Sequence, residues 1–495
     1  MTAVHPPPAI AAAPASLAER VRSALAWRWG SQVVAQAIMW ASTILVVRLL
    51  APTDYGLYAM TQSVVTALAF LNGQSFATSL IQADRVDERR IGQVFALLLL
   101  LNGFLAAVQF AFAPLAARYY GEPLVADMLR VQAVIFLTIP FAALPQELLA
   151  RRIEFRKQGL VNLATALIGA LTALALAWLG YGVWALVYAP VAMFATRAIG
   201  MTLAARVLVK PVFDLRGAGD LAAFGGALTI CQFLWIVQSQ SDIVIAGRSF
   251  SAHELGLYSE ALFLTLIITA RFLPPINEVA FPAYAELHKQ GQPLGPMFLK
   301  IQRMVALVVA PAYIGLALVA EPAVLTVFGA KWAEMAPIVA GLALAMPAFA
   351  LQIVCSPATN GMGRPGVYML TNGAGAALFP LLFLAAVPAG PAGLVVAWWV
   401  GAPALLAVTY AATLPRIGVR WRELAEALAP AVLATAAMAG AVLAARAALP
   451  SLPDPAELAV LATVGAVVYV GVLLAFARAM VGEIVTFLTT RQLAA

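Results

Sequence analysis

The chain has 495 residues, 63% of them apolar and only 11% charged, with a formal net charge of +7. A soluble domain has about 45–50% apolar and about 25% charged residues, so composition excludes a water-soluble enzyme, a disordered chain and a coiled coil. The apolar residues come in blocks of roughly 20, the length of a membrane-spanning helix, without the alternation of a transmembrane barrel.

The expected fold is therefore all-α and polytopic. Residues 1–29 read as an N-terminal tail, Pro/Ala-rich and free of Lys and Arg over its first 18 residues, unlike the basic start of a signal peptide. Spans are expected at 30–50, 55–80, 92–113, 128–150, 159–179, 183–205, 222–247, 256–281, 299–320, 336–357, 366–386, 391–414, 425–445 and 457–477. That is fourteen. The segment 478–495 is amphipathic and suits a membrane surface. Cys231, Cys355 and the three histidines show no ligand spacing, so neither a metal nor a disulfide is expected. No Walker A motif and no loop large enough for a catalytic domain is present, which points away from an enzyme.

Basic residues sort by side. With the N-terminus in the cytoplasm, 22 of the 30 Lys and Arg fall on cytoplasmic segments and 6 on outer ones. The other two, Arg197 and Arg271, lie inside spans, with Arg197 read as snorkelling to the inner leaflet. The split follows the positive-inside rule and puts both termini inside. It also accounts for the positive charge without a nucleic-acid partner.

An internal repeat divides the chain. Residues 48–58, RLLAPTDYGLY, and 248–258, RSFSAHELGLY, align without a gap at an offset of 200, and Gln32 aligns with Gln232. Six spans separate the copies, so two parallel six-helix bundles are expected at 30–210 and 211–415, with 416–495 holding two further helices and a tail. A purely local reading also fits, in which Asp54 and Glu254 cap a helix and Gly56 and Gly256 allow a tight turn.

Ionisable groups inside a span cost roughly 2.5–3.5 kcal/mol each and usually face protein or a wet cavity. Glu260, Arg271 and Glu278 are 11 and 7 residues apart, which at about 100° per residue puts them on one stripe of span 8. Pro274 and Pro275 are expected to break or kink that helix. Gln232, Trp235, Ser239 and Asp242 share a face of span 7, readable as ligand contact or as polar helix-to-helix glue. Arg48 and Arg248 end the first helix of each repeat, either as interfacial anchors or as a pair of cleft cations. Asp242 and Glu260 flank the turn between spans 7 and 8, where they would share a proton if they met.

The stretches VVRLLAPTDYGLYAM (46–60), SLIQ (79–82), SDIVIAGRSFSAHELGLYSEA (241–261) and AFPAYAEL (280–287) resemble the bacterial polysaccharide transporters of the Wzx type, the oligosaccharide flippases. The resemblance implies two bundles in a V that pass undecaprenyl-pyrophosphate-linked oligosaccharide across the inner membrane. On that reading Arg48, Arg248 and Arg271, with Gln32, Gln232, Trp235 and Ser239, would contact substrate. Asp242, Glu260 and Glu278 would carry a coupling proton or sodium ion, with no other cofactor. Polysaccharide polymerase and export machinery would be the protein partners. A multidrug or cation antiporter of the same superfamily and a membrane glycosyl polymerase or ligase are the alternatives.

Overall fold

A bilayer offers no partner for backbone N–H and C=O groups, so each apolar block must satisfy its own, as a helix does. The computed structural model describes residues 17–73, 88–152, 154–206, 209–214 and 219–476, and among these every regular element is helical. In order they are α1 (Leu17–Leu49), α2 (Pro52–Ala69), α3 (Glu88–Tyr120), α4 (Leu124–Gln132), α5 (Val134–Arg151), α6 (Phe155–Trp178) and α7 (Trp184–Ala205). There follow α8 (Gly219–Ser249), α9 (Ala252–Lys289), α10 (Gly295–Leu318), α11 (Ala320–Val327), α12 (Ala336–Ile353) and α13 (Ser356–Gly361). The last four are α14 (Pro365–Ala386), α15 (Gly390–Ile417), α16 (Trp421–Ala448) and α17 (Asp454–Phe476). The expectations that fall on residues 1–16, SLIQ at 79–82, Arg85 and the tail 478–495 lie outside the described residues, and the side chains of Cys231 and Gln232 lie outside those described.

Each of the fourteen expected spans has its helix. Eleven described stretches are long and apolar enough to cross a membrane, and one of them, Gly366–Ile417, holds both α14 and α15. α8 and the 18-residue α2 complete the set. Three features depart from expectation. α2 ends at Ala69, well short of the expected end at 80, and 74–80 lie outside the described residues. Span 4 is divided between α4 and α5. And α9 runs unbroken for 38 residues through Pro274, Pro275 and Pro282, so the expected break is absent. Each proline removes one rung of the hydrogen-bond ladder, and the rungs on either side hold the helix together.

The chain packs as two compact units. The first takes Met1–Leu45, Asn72–Ala111 and Arg130–Leu221. Its core lies where α5, α6 and α7 meet, at Leu149, Met201 and Ala205. Residues 209–214 strap onto the start of α3: the Val212 amide donates to the Gly92 carbonyl at 3.0 Å, and Arg89 pairs with Asp214 at 2.5 Å. Within this unit Arg197 donates to the Gln146 side chain at 2.6 Å and so has a protein partner, not only a lipid one.

The second unit takes Val46–Leu71, Phe112–Leu129 and Ala222–Ala495. Here α16 and α17 pack on α10 through Met438, Val442 and Leu461, and the Tyr469 hydroxyl donates to the Leu307 carbonyl at 2.6 Å. The two copies of the sequence motif meet in this unit. A Cβ on Gly56 would strike the carbonyl of Ala252, and one on Gly256 would strike the carbonyl of Pro52. The reciprocity is a local two-fold: α2 and α9 cross where each carries its motif glycine. These glycines are needed for close approach one turn into each helix, not for the tight turn that local reading suggested. Asp54 and Glu254 likewise sit at the third helical position, where each accepts from the amide of the true cap, Ala51 at 2.9 Å and Ser251 at 3.0 Å.

Candidate functional site

The polar face of α8 is the start of the site. Trp235, Gln238, Ser239 and Asp242 follow at steps of 3, 1 and 3 residues, within an arc of about 100° around the helix. Asp242 is 1% exposed. One of its carboxylate oxygens accepts from the Tyr258 hydroxyl of α9 at 3.0 Å, the other from the backbone amide of Ile243 at 2.8 Å. The Tyr258 hydroxyl in turn accepts from the Trp398 indole N–H of α15 at 2.9 Å. A buried carboxylate is thereby joined to three helices by a line of hydrogen bonds, which meets the requirement that a polar group out of water have partners.

Beside this relay is a cavity of about 290 Å³. α8 supplies Trp235, Gln238 and Ser239. Leu262, Leu266, Thr269, Ala270, Leu273, Pro274 and Asn277 come from α9, and Phe349, Ile353 and Trp398 from α12 and α15. Phe349 and Trp398 meet edge to face, ring centres 5.5 Å apart. None of these residues is ionisable. Gln238 is 3% exposed, yet neither atom of its amide has a hydrogen-bond partner, and the Asn277 amide oxygen has none either.

The other residues singled out from sequence are placed differently. Arg48 is exposed and donates to the carbonyls of Thr326 and Val327, at 2.9 Å for the latter, so its cation closes the negative C-terminal end of α11. Arg248 is exposed and stacks over the Tyr119 ring at 5.2 Å. Trp332 donates to the Val47 carbonyl at 3.0 Å and so closes the end of α1, and Tyr119 donates to the Val244 carbonyl in the last turns of α8 at 3.3 Å. Gln32 is exposed on α1 in the first unit. On α9, Arg271 and Glu278 are exposed and Glu260 is half-buried, within electrostatic reach of Tyr55 and Tyr58 of α2. Measured from Leu266 in the cavity wall, all three lie about 120–140° round the helix, so the charged stripe and the cavity wall are different faces of α9. Asp242 and Glu260 do not meet: Asp242 bonds Tyr258, and Glu260, two residues on, points about 200° away.

Sequence reasoning passed over Gln238, although it sits between Trp235 and Asp242 on the same face. It also passed over Asn277, Phe349 and Trp398, for which only the fold supplies proximity, and over Glu147, a carboxylate 8% exposed within α5.

Helices of spanning length, an outer surface of large apolar side chains such as Trp178, Leu203 and Leu433, and a buried polar face inside a bundle define a multi-span membrane protein. Residues 45–337, more than half of the chain, match the family described as "Polysaccharide biosynthesis protein", and the chain belongs to that family. It is 25% identical over 350 residues to the succinoglycan biosynthesis transport protein ExoT of Rhizobium meliloti (strain 1021), with 71% of each chain covered. It is 22% identical over 329 residues to the lipopolysaccharide biosynthesis protein WzxC of Escherichia coli (strain K12), covering 65% of this chain and 66% of that one. Both bear out the Wzx-type resemblance read from 46–60 and 241–287. Among solved structures, the lipid II flippase MurJ in an inward closed conformation matches with a TM-score of 0.71 at 11% identity, over 92% of this chain and 99% of that one. That likeness is one of fold.

Proposed function

We propose that this chain moves undecaprenyl-pyrophosphate-linked oligosaccharide from the cytoplasmic to the outer leaflet of the bacterial inner membrane, by alternating access of two six-helix repeats driven by a proton or sodium gradient. Both termini are cytoplasmic on this reading, and polysaccharide polymerase and export machinery receive the product. The observation that carries it is the α8 face: a carboxylate held out of water at Asp242, one helical turn from a cavity lined mainly by aliphatic and aromatic side chains and by no ionisable one. A buried carboxylate in a membrane span is costly unless it binds a proton or a cation at some stage of a cycle. No acidic residue lines the cavity, which weighs against the antiporter reading.

Moving a pyrophosphate through hydrocarbon requires cations. Arg271 is the candidate on this structure, because among the described residues it has no ion pair, whereas Arg48 and Arg248 are engaged with carbonyls and a ring. Arg271→Ala is expected to abolish export without loss of protein from the membrane, and Arg271→Lys to retain part of it, since Lys keeps the charge but not the planar fork. The test of the function itself is transport of a lipid-linked oligosaccharide into vesicles containing the purified chain, with an imposed proton or sodium gradient. Gradient-dependent transport that Asp242→Asn blunts is the expected result. Transport that is absent in the wild type, or unchanged in Asp242→Asn, overturns the function or the coupling role respectively.

A further inference from the structure

We propose that the motif arginines, Arg48 and Arg248, together with the rings opposite them, form a two-fold clasp between the two sequence repeats, which holds the outer side shut and parts in each transport cycle. The inference rests on the transport reading above and its topology, and adds which contacts must break before substrate can leave.

Each half of the clasp joins the motif helix of one repeat to the connection between the third and fourth spans of the other. In one half, Arg48 at the end of α1 donates to the Thr326 and Val327 carbonyls, and Trp332 donates back to the Val47 carbonyl. In the other half, Arg248 at the end of α8 lies over the Tyr119 ring, and the Tyr119 hydroxyl donates back to the Val244 carbonyl. The pattern is the same twice. An arginine reaches onto the opposite repeat, and a ring from that repeat returns a hydrogen bond to the arginine's own helix. Packing follows the same exchange: Tyr55 meets Trp332 edge to face with ring centres 5.4 Å apart, and the Tyr120 ring lies where a Cβ on Gly247 would be. The reciprocal crossing at Gly56 and Gly256 belongs to this set of contacts.

All of these residues belong to the second unit. α1 and α3 pass into it from the first unit after Leu45 and after Ala111, so the ends of the first repeat's helices pack with the second repeat. On the proposed topology those ends are the outer ones, and a substrate delivered outside cannot leave while they hold. The chemistry of the contacts suits them to parting. Arg48, Arg248 and Tyr119 are exposed. The Val47, Thr326 and Val327 carbonyls are among the last four of their helices, which have no partner within the helix and which water can satisfy. Parting therefore orphans no polar group at the outer surface. Where α2 and α9 come closest, glycine leaves no side chains interlocked. The line from Asp242 through Tyr258 to Trp398 is the contrast: it is buried and lies wholly within the second repeat, so it stays intact while the clasp opens.

The test uses the full chain in vesicles and two double variants, Arg48→Cys with Val327→Cys and Arg248→Cys with Tyr119→Cys. A short bifunctional methanethiosulfonate bridges each pair, and the wild type, which carries Cys231 and Cys355, is treated in parallel. Bridging either pair is expected to bring gradient-driven transport of lipid-linked oligosaccharide down to that of protein-free vesicles, and a reductant to restore it. A bridged chain that transports as fast as the reduced one overturns the proposal, since the contact is then a fixed hinge; so does failure of both pairs to bridge. A second measurement needs no transport. Ser63 is buried beside Tyr120, with 3.0 Å between their hydroxyls. Labelling of Ser63→Cys by a membrane-impermeant maleimide should quicken about 10-fold when Arg48 and Arg248 are both replaced by Ala, because each lost contact favours the open state. An unchanged labelling rate also overturns the clasp. Quickened labelling in a chain whose wild type transports nothing leaves the clasp standing and removes the transport reading.

Discussion

The hydroxyl of Tyr258 is a single atom on which α8, α9 and α15 converge, donating to Asp242 and accepting from Trp398. Removing it orphans two buried partners at once. Tyr258→Phe is therefore expected to destabilise the protein by about 1–3 kcal/mol per orphaned group, read as a lower melting temperature in detergent. Asp242→Asn keeps an acceptor for Tyr258 and should cost less. Because the two residues share one bond, the double variant should be less destabilised than the sum of the singles; strict additivity would mean that the relay is not a unit. At this scale the sequence was half legible. Asp242 declares itself, since a carboxylate in an apolar block needs a reason. Tyr258 and Trp398 do not, because an aromatic in a span is ordinary and the bond between them joins residues 140 apart. Arg48 and Arg248 show the converse: their pairing by repeat was visible, but their partners, a helix end and a tyrosine ring, come from elsewhere in the chain.

Between α2 and α9 the contact is made by glycine. In a membrane there is little hydrophobic drive to associate two helices, and small residues let backbones approach closely enough for dispersion contacts to do so. Gly56 and Gly256 each face a carbonyl of the opposite helix, of Ala252 and of Pro52. Adding a methyl group to either must push the helices apart. Gly56→Ala and Gly256→Ala are each expected to cost about 1–3 kcal/mol. The double variant should cost little more than the worse single, since one displacement relieves both clashes. A melting temperature unchanged in both singles would show that the crossing is looser than this. The repeat itself was visible in sequence as RLLAPTDYGLY against RSFSAHELGLY. Its physical reason was not: a motif read along one chain suggests a turn, whereas the demand for glycine comes from a second helix some 200 residues away. The unbroken α9 makes a related point. Proline spacing says which rungs are lost, but whether the helix survives depends on what surrounds it.

Among the described residues a helix, or for span 4 a pair of helices, falls on each of the fourteen apolar blocks expected, which makes the chain's orientation testable as a whole. Span number and position were legible because each is a local property, a run of residues whose transfer to hydrocarbon is favourable. Sidedness is a different kind of quantity, since it sums charge over every loop. An even number of crossings would put both ends of the chain on one side, and the 22-to-6 partition of Lys and Arg is the ground for proposing that this side is the cytoplasm. Lys331 lies in the short 3₁₀ turn Ala330–Met335, after α10 and before α12, with nine of the expected spans preceding it. A reporter that works only outside the cytoplasm should therefore be active when fused after Lys331 and silent when fused after Ala495. A reporter that works only in the cytoplasm should give the opposite pattern. The two sites are separated by five expected spans, so a single helix that fails to cross between them would put both fusions on the same side. A helix that fails to cross before Lys331 would invert both results together. The pair of fusions thus distinguishes an error in the first nine spans from one in the last five, and either pattern would overturn the fourteen-span topology on which the cytoplasm-to-outside direction of transport depends.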